Sequence, residues 1–466
     1  MATSSANASS AKKQAVVVIH GMGEQRPMDT IREFVTHVWK QDPNLTYPHF
    51  WNKPSSVSES FEQRRLTTDR PQASGKEEPV QRTDFFEYYW AHRTVGTKWE
   101  HFWGWISALL FCLPSRYDNH ASTLKPLWFI LWGLIVFGFF LALWWRDIFS
   151  SSDDLSGLTL TFVTVASAGW AFLVAKARSF FTHYFGDVAR YIQAKPANIA
   201  IRQAIRQGGV ELLERIHQTG DYDRIVLVGH SLGSYVAYDI LTHLWARHNK
   251  FKDHDDIPTP LSEASREHCN ALTELAKSCG TDAFDADTYW QTQRQLFSSL
   301  IENDPDKNWL ISDFITLGSP LTYADVLLYK NQENFEKRKL DRELPTSPPL
   351  TEHGAWYYGG DGEYYLHHGA VFGAVKWTNI YMPHGCYIKG DLISGPVSLN
   401  YSFEAFDVAN GTMTPPCDMS KTPIEEIALD YSKIKDGFTH TAYWKSAEVP
   451  SDNEHLAVLR KAVGLY

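Results

Sequence analysis

The stretch Arg224-Ile225-Val226-Leu227-Val228-Gly229-His230-Ser231-Leu232-Gly233-Ser234-Tyr235-Val236-Ala237-Tyr238-Asp239-Ile240-Leu241 decides how this chain reads. Ile225 to Val228 is short, apolar and mostly β-branched, which predicts a buried strand; the segment from Ser234 onward has helical spacing. Between them Ser231 has a glycine two positions to each side, the pattern of a nucleophile elbow. The reason for the glycines is steric, because side chains at 229 or 233 would collide with the neighbouring strand and helix. The turn is expected to hold Ser231 in a strained backbone conformation and to project its hydroxyl above the sheet. The N-terminus of the following helix favours negative charge there.

A second buried strand is predicted over Gln14-Ala15-Val16-Val17-Val18-Ile19, ending in His20-Gly21-Met22-Gly23-Glu24-Gln25-Arg26-Pro27. Acyl transfer needs two backbone N–H groups aimed at the developing alkoxide of a tetrahedral intermediate. Leu232, the residue after the serine, is the candidate for one, and Met22 in the glycine-rich loop is the candidate for the other. An ordinary strand-to-helix turn also favours glycine, so this loop alone leaves both readings open.

Together, the His-Gly-Met-Gly loop and the Gly-His-Ser-Leu-Gly elbow resemble the lipase and esterase branches of the α/β-hydrolase superfamily. Asp313-Phe314-Ile315-Thr316-Leu317-Gly318-Ser319-Pro320 is similar to the next core strand of lipases and inositol-deacylase-like hydrolases. The matched segments, 15–27, 84–90, 224–241, 313–322, 376–396 and 438–446, cover the sheet and a minority of the chain. The resemblance implies an α/β-hydrolase fold, a mostly parallel sheet flanked by helices, and acyl-enzyme chemistry that needs no cofactor. It does not specify a substrate.

A serine hydroxyl needs a histidine to take its proton, and the histidine needs a carboxylate to fix its tautomer. In this superfamily the order is serine, acid, histidine. Of the 19 histidines, His440 is the candidate base, because His440-Thr441-Ala442-Tyr443-Trp444 is similar to a His-Ser-x-Tyr-Trp-like segment of such hydrolases. It follows Ile424 to Tyr431, which reads as the last strand. For the acid, Lys376 to Pro383 reads as a strand with the Trp-x-Asn-x-Tyr pattern of relatives, and Asp391 precedes a Gly-Pro pair, although the loop between is longer than in that pattern. Asp325, after the preceding strand, is the alternative acid, and a surface aspartate beside a turn is the plain alternative for both. His20 and His230 are expected to hydrogen-bond within the loop and the elbow. His367-His368 and Gly359-Gly360-Asp361-Gly362 lack metal-ligand spacing and read as a polar surface loop, not a metal site. Gly21-x-Gly23 lacks the third glycine and the ribose-binding acid of a dinucleotide fingerprint.

The other strong feature is an uncharged run from Leu127 to Trp145, followed by a second from Leu158 to Ala175. The Leu, Ile, Phe and Val side chains of the first run favour mid-bilayer insertion by about 4–7 kcal/mol at most. At 1.5 Å per residue it spans the hydrocarbon core. Trp128, Trp144 and Trp145 sit at its ends, where interfacial tryptophans belong. The second run is rich in Thr, Ala, Ser and Gly, which suits close helix packing. A buried core helix is the competing reading for each. Arg116, Lys125, Lys176, Arg178 and Arg190 lie on the outer flanks, against Arg146 and three aspartates in the connecting segment. This charge bias predicts an integral membrane protein with its catalytic domain cytoplasmic. Trp99 to Leu113 reads as an interfacial helix. The hairpin follows the strand Asp84 to Trp90, so it should leave the carboxyl edge of the sheet, where active sites of parallel α/β proteins lie.

Hydrophobic residues make up 44% of the chain and the formal charge is −10, which argues against nucleic acid as a partner. Five irregularly spaced cysteines suggest reduced thiols. The expected organisation is a disordered, signal-free segment 1–13, then a first hydrolase segment 14–98 with a flexible loop 52–83. A membrane insertion 99–178 carries the hairpin 127–145 and 158–175. The remainder, 179–466, holds cap insertions 246–310 and 328–375. The expected partners are a lipid bilayer and a lipid or acylated substrate. The functional readings are a membrane-anchored ester hydrolase (lipase, phospholipase or lipid deacylase), a depalmitoylating thioesterase, and an inactive hydrolase-fold scaffold or membrane-acting protein.

Overall fold

The computed structural model describes residues 13–21, 26–58, 62–76, 78–94, 124–150, 157–192, 196–249, 260–304, 308–327, 332–360, 362–384, 389–407, 412–434, 437–447 and 453–465. Expectations for residues 1–12, for Met22, for the Trp99–Leu113 segment and for the centre of the hairpin connection lie outside the described residues.

An eight-stranded sheet organises the chain. Its strands are β1 (Lys13–Ile19), β2 (Phe50–Pro54), β3 (Arg64–Thr68), β4 (Thr83–Tyr88), β5 (Tyr222–His230), β6 (Ile311–Leu317), β9 (Lys376–Tyr381) and β12 (Glu425–Ala428). Two small hairpins lie outside it: β7 (Tyr357–Gly360) with β8 (Glu363–Leu366), and β10 (Ala405–Asp407) with β11 (Thr412–Thr414). The strand order in the sheet is β12-β9-β6-β5-β1-β4-β3-β2. All neighbours from β12 to β4 are parallel, whereas β3 and β2 add antiparallel at the far edge.

Alternation along β1 explains why its sequence is a continuous apolar run. Ala15, Val17 and Ile19 enter one core with Leu227, Leu213, Val236 and Ile240, while Val16 and Val18 enter the other with Phe85, Val226, Ile31 and Leu459. A strand buried on both faces has no side to leave polar. The helices covering these faces include α1 (Asp29–Val35), α4 (Pro196–Gln218), α5 (Leu232–His248), α6 (Glu263–Ala276), α7 (Ala286–Glu302), α8 (Gln332–Leu340) and α9 (Glu454–Val463).

Three expectations are corrected. Lys13 belongs to β1, pairing with Tyr222. The supposed flexible loop 52–83 contains β3, the end of β2 and the start of β4. One of its polar residues, Arg65 of β3, reaches the buried Asp84 of neighbouring β4 at 3.3 Å, and Asp84 also accepts from the Tyr222 hydroxyl at 2.8 Å. The sequence also reads as one helix from Asp187 to Gln218, and this is corrected to two, because Pro196 begins α4 at a position where its missing N–H costs nothing.

The two apolar runs form α2 (Leu124–Ser150) and α3 (Gly157–Ile192). Both are long and apolar enough to cross a membrane, over Trp128–Ile148 and Thr159–Lys176, and only 6% of each apolar window is buried within the protein. That exposure separates them from core helices. They pack on each other through Trp170, whose indole N–H reaches the Leu134 carbonyl at 3.0 Å across Gly138. A Cβ at Gly138 would lie 2.5 Å from the Trp170 ring. Trp145 donates to the Ser167 hydroxyl at 2.8 Å.

Candidate active site

From β1 the chain goes to β2 at the far edge, comes back through β3 to β4 beside β1, then crosses to β5 on the other side of β1 and continues outward through β6, β9 and β12. The order reverses beside β1 and β5, and the crevice at the carboxyl ends of such strands is where parallel α/β sheets bind ligands. Ser231 sits there, between the last residue of β5 and the first of α5.

Ser231 has φ 55° and ψ −131°. A non-glycine residue so placed costs about 1–3 kcal/mol and persists only where its surroundings enforce it. The surroundings are tight: a Cβ at Gly229 would lie 2.5 Å from the Ser234 Cα, and one at Gly233 would lie 2.3 Å from the Ile19 carbonyl oxygen. Backbone cannot yield as a flexible side chain can, so both positions require glycine. The Ser231 N–H donates to the Leu317 carbonyl at 2.9 Å. Ser234 donates its hydroxyl to the Ser231 carbonyl at 2.5 Å, and its oxygen is 2.6 Å from that of Ser319.

His440 Nε2 lies 2.7 Å from Ser231 Oγ, and His440 Nδ1 lies 2.9 and 3.0 Å from the two carboxylate oxygens of Asp391. An ionised carboxylate can only accept, so Nδ1 carries the proton and Nε2 is the acceptor for the serine hydroxyl. All three residues are buried. Burial works to raise the Asp391 carboxyl, but His440, the Tyr443 hydroxyl and the Ile393 N–H outweigh it and hold it below the usual carboxylate range. Asp325, the alternative acid, lies 3.4 Å from the Asn400 amide, and the bonds of His440 Nδ1 go to Asp391.

Leu232 occupies the first position of α5, so its N–H has no acceptor within the helix. Met22 lies outside the described residues, but the loop that carries it starts beside the serine: a Cβ at Gly21 would be 2.8 Å from the Ser231 Cβ. An open cleft of about 420 Å³ adjoins this point, lined by Gly21, Glu33, His230, Thr441 and Trp444 among others.

The two flanking histidines hold backbone. His230 Nε2 donates to the His440 carbonyl at 2.9 Å. Burial first, then the neighbouring His440, lowers its pKa to about 3, so it stays neutral. His20 donates from Nδ1 to the Gly21 carbonyl at 2.7 Å and accepts the Trp90 N–H at 3.2 Å. It stacks on the Trp90 ring with centroids 5.2 Å apart, and burial lowers its pKa to about 4.

The expected polar surface loop around His367 is corrected. His367 is buried, with Nε2 2.9 Å from the Leu350 carbonyl and Nδ1 accepting the Gly369 N–H. Gly359 and Gly360 belong to strand β7. Among the described residues no group of three or more His, Cys, Asp or Glu side chains converges as a metal site.

Sequence reasoning assigned no part to Tyr443 or to the Asn379–Glu426 pair. Asn379 of β9 donates to the Gly395 carbonyl at 3.0 Å and to Glu426 of β12 at 2.7 Å. Glu426 in turn accepts the N–H groups of Val397 and Ser398, both at 2.7 Å. Two neighbouring strands thus grip the loop that carries Asp391. The only signal was that Asn379 and Tyr443 fall inside the two motifs used to find Asp391 and His440.

The arrangement can move a proton from a serine hydroxyl to an imidazole whose other nitrogen faces a buried carboxylate. No family model matches the chain, and no curated protein or solved structure matches it.

Proposed function

We propose that the chain is a membrane-anchored serine hydrolase of the α/β-hydrolase type, cleaving carboxylic esters of lipids through an acyl-enzyme. The observation that carries this reading is the unbroken line Ser231–His440–Asp391, with bonds of 2.7 and 2.9 Å. Ser231 Oγ attacks the acyl carbon as His440 Nε2 takes its proton, and the Leu232 and Met22 N–H groups bind the oxyanion. His440 then gives the proton to the leaving alcohol. A water enters, gives a proton to His440 and attacks the acyl-serine, releasing the acid and restoring Ser231.

Lipid as substrate rests on a second observation. Between β4 and β5 the chain makes its excursion through α2 and α3, leaving the carboxyl edge of the sheet on which Ser231 lies. The exposed faces of these helices carry Phe129, Phe137, Phe139, Phe140, Phe162 and Phe172, a surface suited to acyl chains and far larger in apolar content than water tolerates. The excess of basic residues on the outer flanks of the hairpin supports a cytoplasmic hydrolase domain.

Labelling with a fluorophosphonate tests the reading. The protein should be labelled at Ser231, and Ser231→Ala should lose both the label and esterase turnover on a short-chain ester. Labelling that survives the substitution, or moves to Ser319, refutes the assignment. An unlabelled, folded protein favours the scaffold reading.

A further inference from the structure

We infer that Tyr443 is a positioning residue of the reaction, holding Asp391 at Oδ2 beside His440 and fixing the direction of the carboxylate's hydrogen bonds. The inference rests on the hydrolase reading above and deepens it.

His440 and Tyr443 are three residues apart on one turn, closed by the Ala442 N–H to the Thr439 carbonyl at 2.8 Å. Both side chains meet the same carboxylate. The Tyr443 hydroxyl is 2.7 Å from Asp391 Oδ2, and the Ile393 N–H is 2.9 Å from Oδ1. Each oxygen therefore has a donor of its own besides Nδ1, which lies nearly equidistant from the two.

The phenol can point only one way. The Met382 N–H lies 3.1 Å from its oxygen, and an amide N–H can only donate, so the phenol oxygen accepts there. An ionised carboxylate can only accept, so the single phenol proton goes to Asp391. The Ser394 hydroxyl, 2.9 Å away, then donates to the phenol. Tyr443 is buried, and burial, with the Asp391 charge, pushes its own ionisation well above the ordinary phenol range. It therefore serves as a donor throughout the working pH range.

Room for the ring is made at Gly318. A Cβ there would lie 2.6 Å from the ring's Cε2 and 3.1 Å from Asp391 Oδ2, and its φ of +60° also disfavours any other residue. The edge of the ring faces His230, with centroids 5.8 Å apart, and His230 is the residue that holds the His440 carbonyl. The phenol is thus tied to base, acid and the strand end after β9 together.

Without the phenol bond the Asp391 carboxylate can turn out of its line to His440, and losing a charge-assisted hydrogen bond that holds the reacting geometry is worth about tenfold or more in turnover. Tyr443→Phe should therefore lower kcat on a soluble ester about tenfold or more, with KM little changed. Turnover is counted per site labelled by fluorophosphonate, so that loss of folded protein does not enter. With one donor fewer, the Asp391 charge stabilises the imidazolium more strongly, so the acidic limb of kcat/KM should move to higher pH. 3-Fluorotyrosine at position 443, a more acidic phenol that donates more strongly and keeps the ring, should move that limb to lower pH. Ser394→Ala leaves the phenol's bond to Asp391 in place and should change kcat less than Tyr443→Phe does. A Tyr443→Phe protein with wild-type kcat and pH limb overturns the inference, as does fluorotyrosine with an unmoved limb. Failure of the wild-type protein to label at Ser231 is a different result and overturns the hydrolase reading itself.

Discussion

Replacing Asp391 by asparagine changes one oxygen to an NH2 group and leaves the shape almost untouched, so the hydrogen-bond partners decide the outcome. If the amide nitrogen took the Oδ1 position it would face the Ile393 N–H at 2.9 Å, a backbone donor that cannot reverse. In the Oδ2 position it faces Tyr443 at 2.7 Å, whose hydroxyl can turn to donate to Ser394. The NH2 group therefore settles at Oδ2, 2.9 Å from His440 Nδ1. There it presents a donor to Nδ1, which favours an accepting Nδ1 with the proton on Nε2, facing Ser231, over the weaker bond left to the neutral carbonyl at the Oδ1 position, 3.0 Å from Nδ1. A protonated Nε2 cannot take the serine proton, and the carboxylate charge that would steady an imidazolium is gone. The same replacement in other Ser-His-Asp triads lowers turnover about 10⁴-fold, or about 5 kcal/mol of transition-state stabilisation. Asp391→Asn is expected to show a loss of that order in kcat on a soluble ester, with an unchanged unfolding midpoint. Asp325→Asn, at the aspartate 3.4 Å from the Asn400 amide, is expected to lose less than tenfold. Retention of more than a tenth of wild-type kcat by Asp391→Asn, or a larger loss at Asp325, refutes the reasoning.

Two further outcomes are expected. A membrane-impermeant maleimide applied to sealed vesicles should distinguish Ser152→Cys, between the two apolar runs, from Ser60→Cys, before them, and equal protection of the two would show that α2 and α3 do not cross. Burial first, with the Asp29 charge, pushes the Glu87 carboxyl up to about 7 from its ordinary 4.5, against the lowering effect of the Met28 N–H; a raised carboxyl favours the protonated folded form, so this group's contribution is fullest below about pH 4.5 and is lost as pH rises to about 7. Glu87→Gln should remove that decline, gaining on the wild type by up to about 3 kcal/mol between those limits in denaturant unfolding, and stability curves that run parallel across the range would contradict it.

The parts of the fold legible in the sequence were those written in local steric terms. The elbow needs glycine at 229 and 233 because backbone passes within contact distance there, and a five-residue pattern records that need. The central runs of β1 (Ala15 to Ile19) and β5 (Ile225 to Val228) are continuously apolar because both faces are covered. The edge of the sheet was not legible. β2 is largely exposed, so solvent satisfies its polar residues, and β3 is partly to fully buried, with its Arg65 paired to Asp84 of β4, which Lys13 also meets. The same limit applied to Tyr443: its position next to the base was visible, but its bond to Asp391 joins residues on separate loops, and spacing in one motif carries no record of the other. Choosing between Asp391 and Asp325 needed the same long-range information, since each simply follows a strand.

The connection between the apolar hairpin and Ser231 is a matter of which helix ends meet. Tyr191, in the last turn of α3, is buried and donates to Asp239 of α5 at 2.9 Å. Arg206 of α4 reaches the same carboxylate oxygen through Nε at 2.8 Å and Nη2 at 2.5 Å. One buried acid therefore joins the end of the hairpin, the helix after it and the helix that begins at Leu232. Asp239 lies seven residues beyond Leu232, about 10 Å along α5 at the rise of an α-helix. Tyr191 also packs edge-on against Tyr235, with centroids 5.5 Å apart, one turn nearer to the serine. A largely buried carboxylate held by a guanidinium and a phenol resists sliding, because separating the partners leaves its charge uncompensated. The hairpin is thus fixed to the helix that follows Ser231 and not only tethered through the chain. On the proposed reading, this geometry gives the serine a set bearing relative to the lipid surface that α2 and α3 enter.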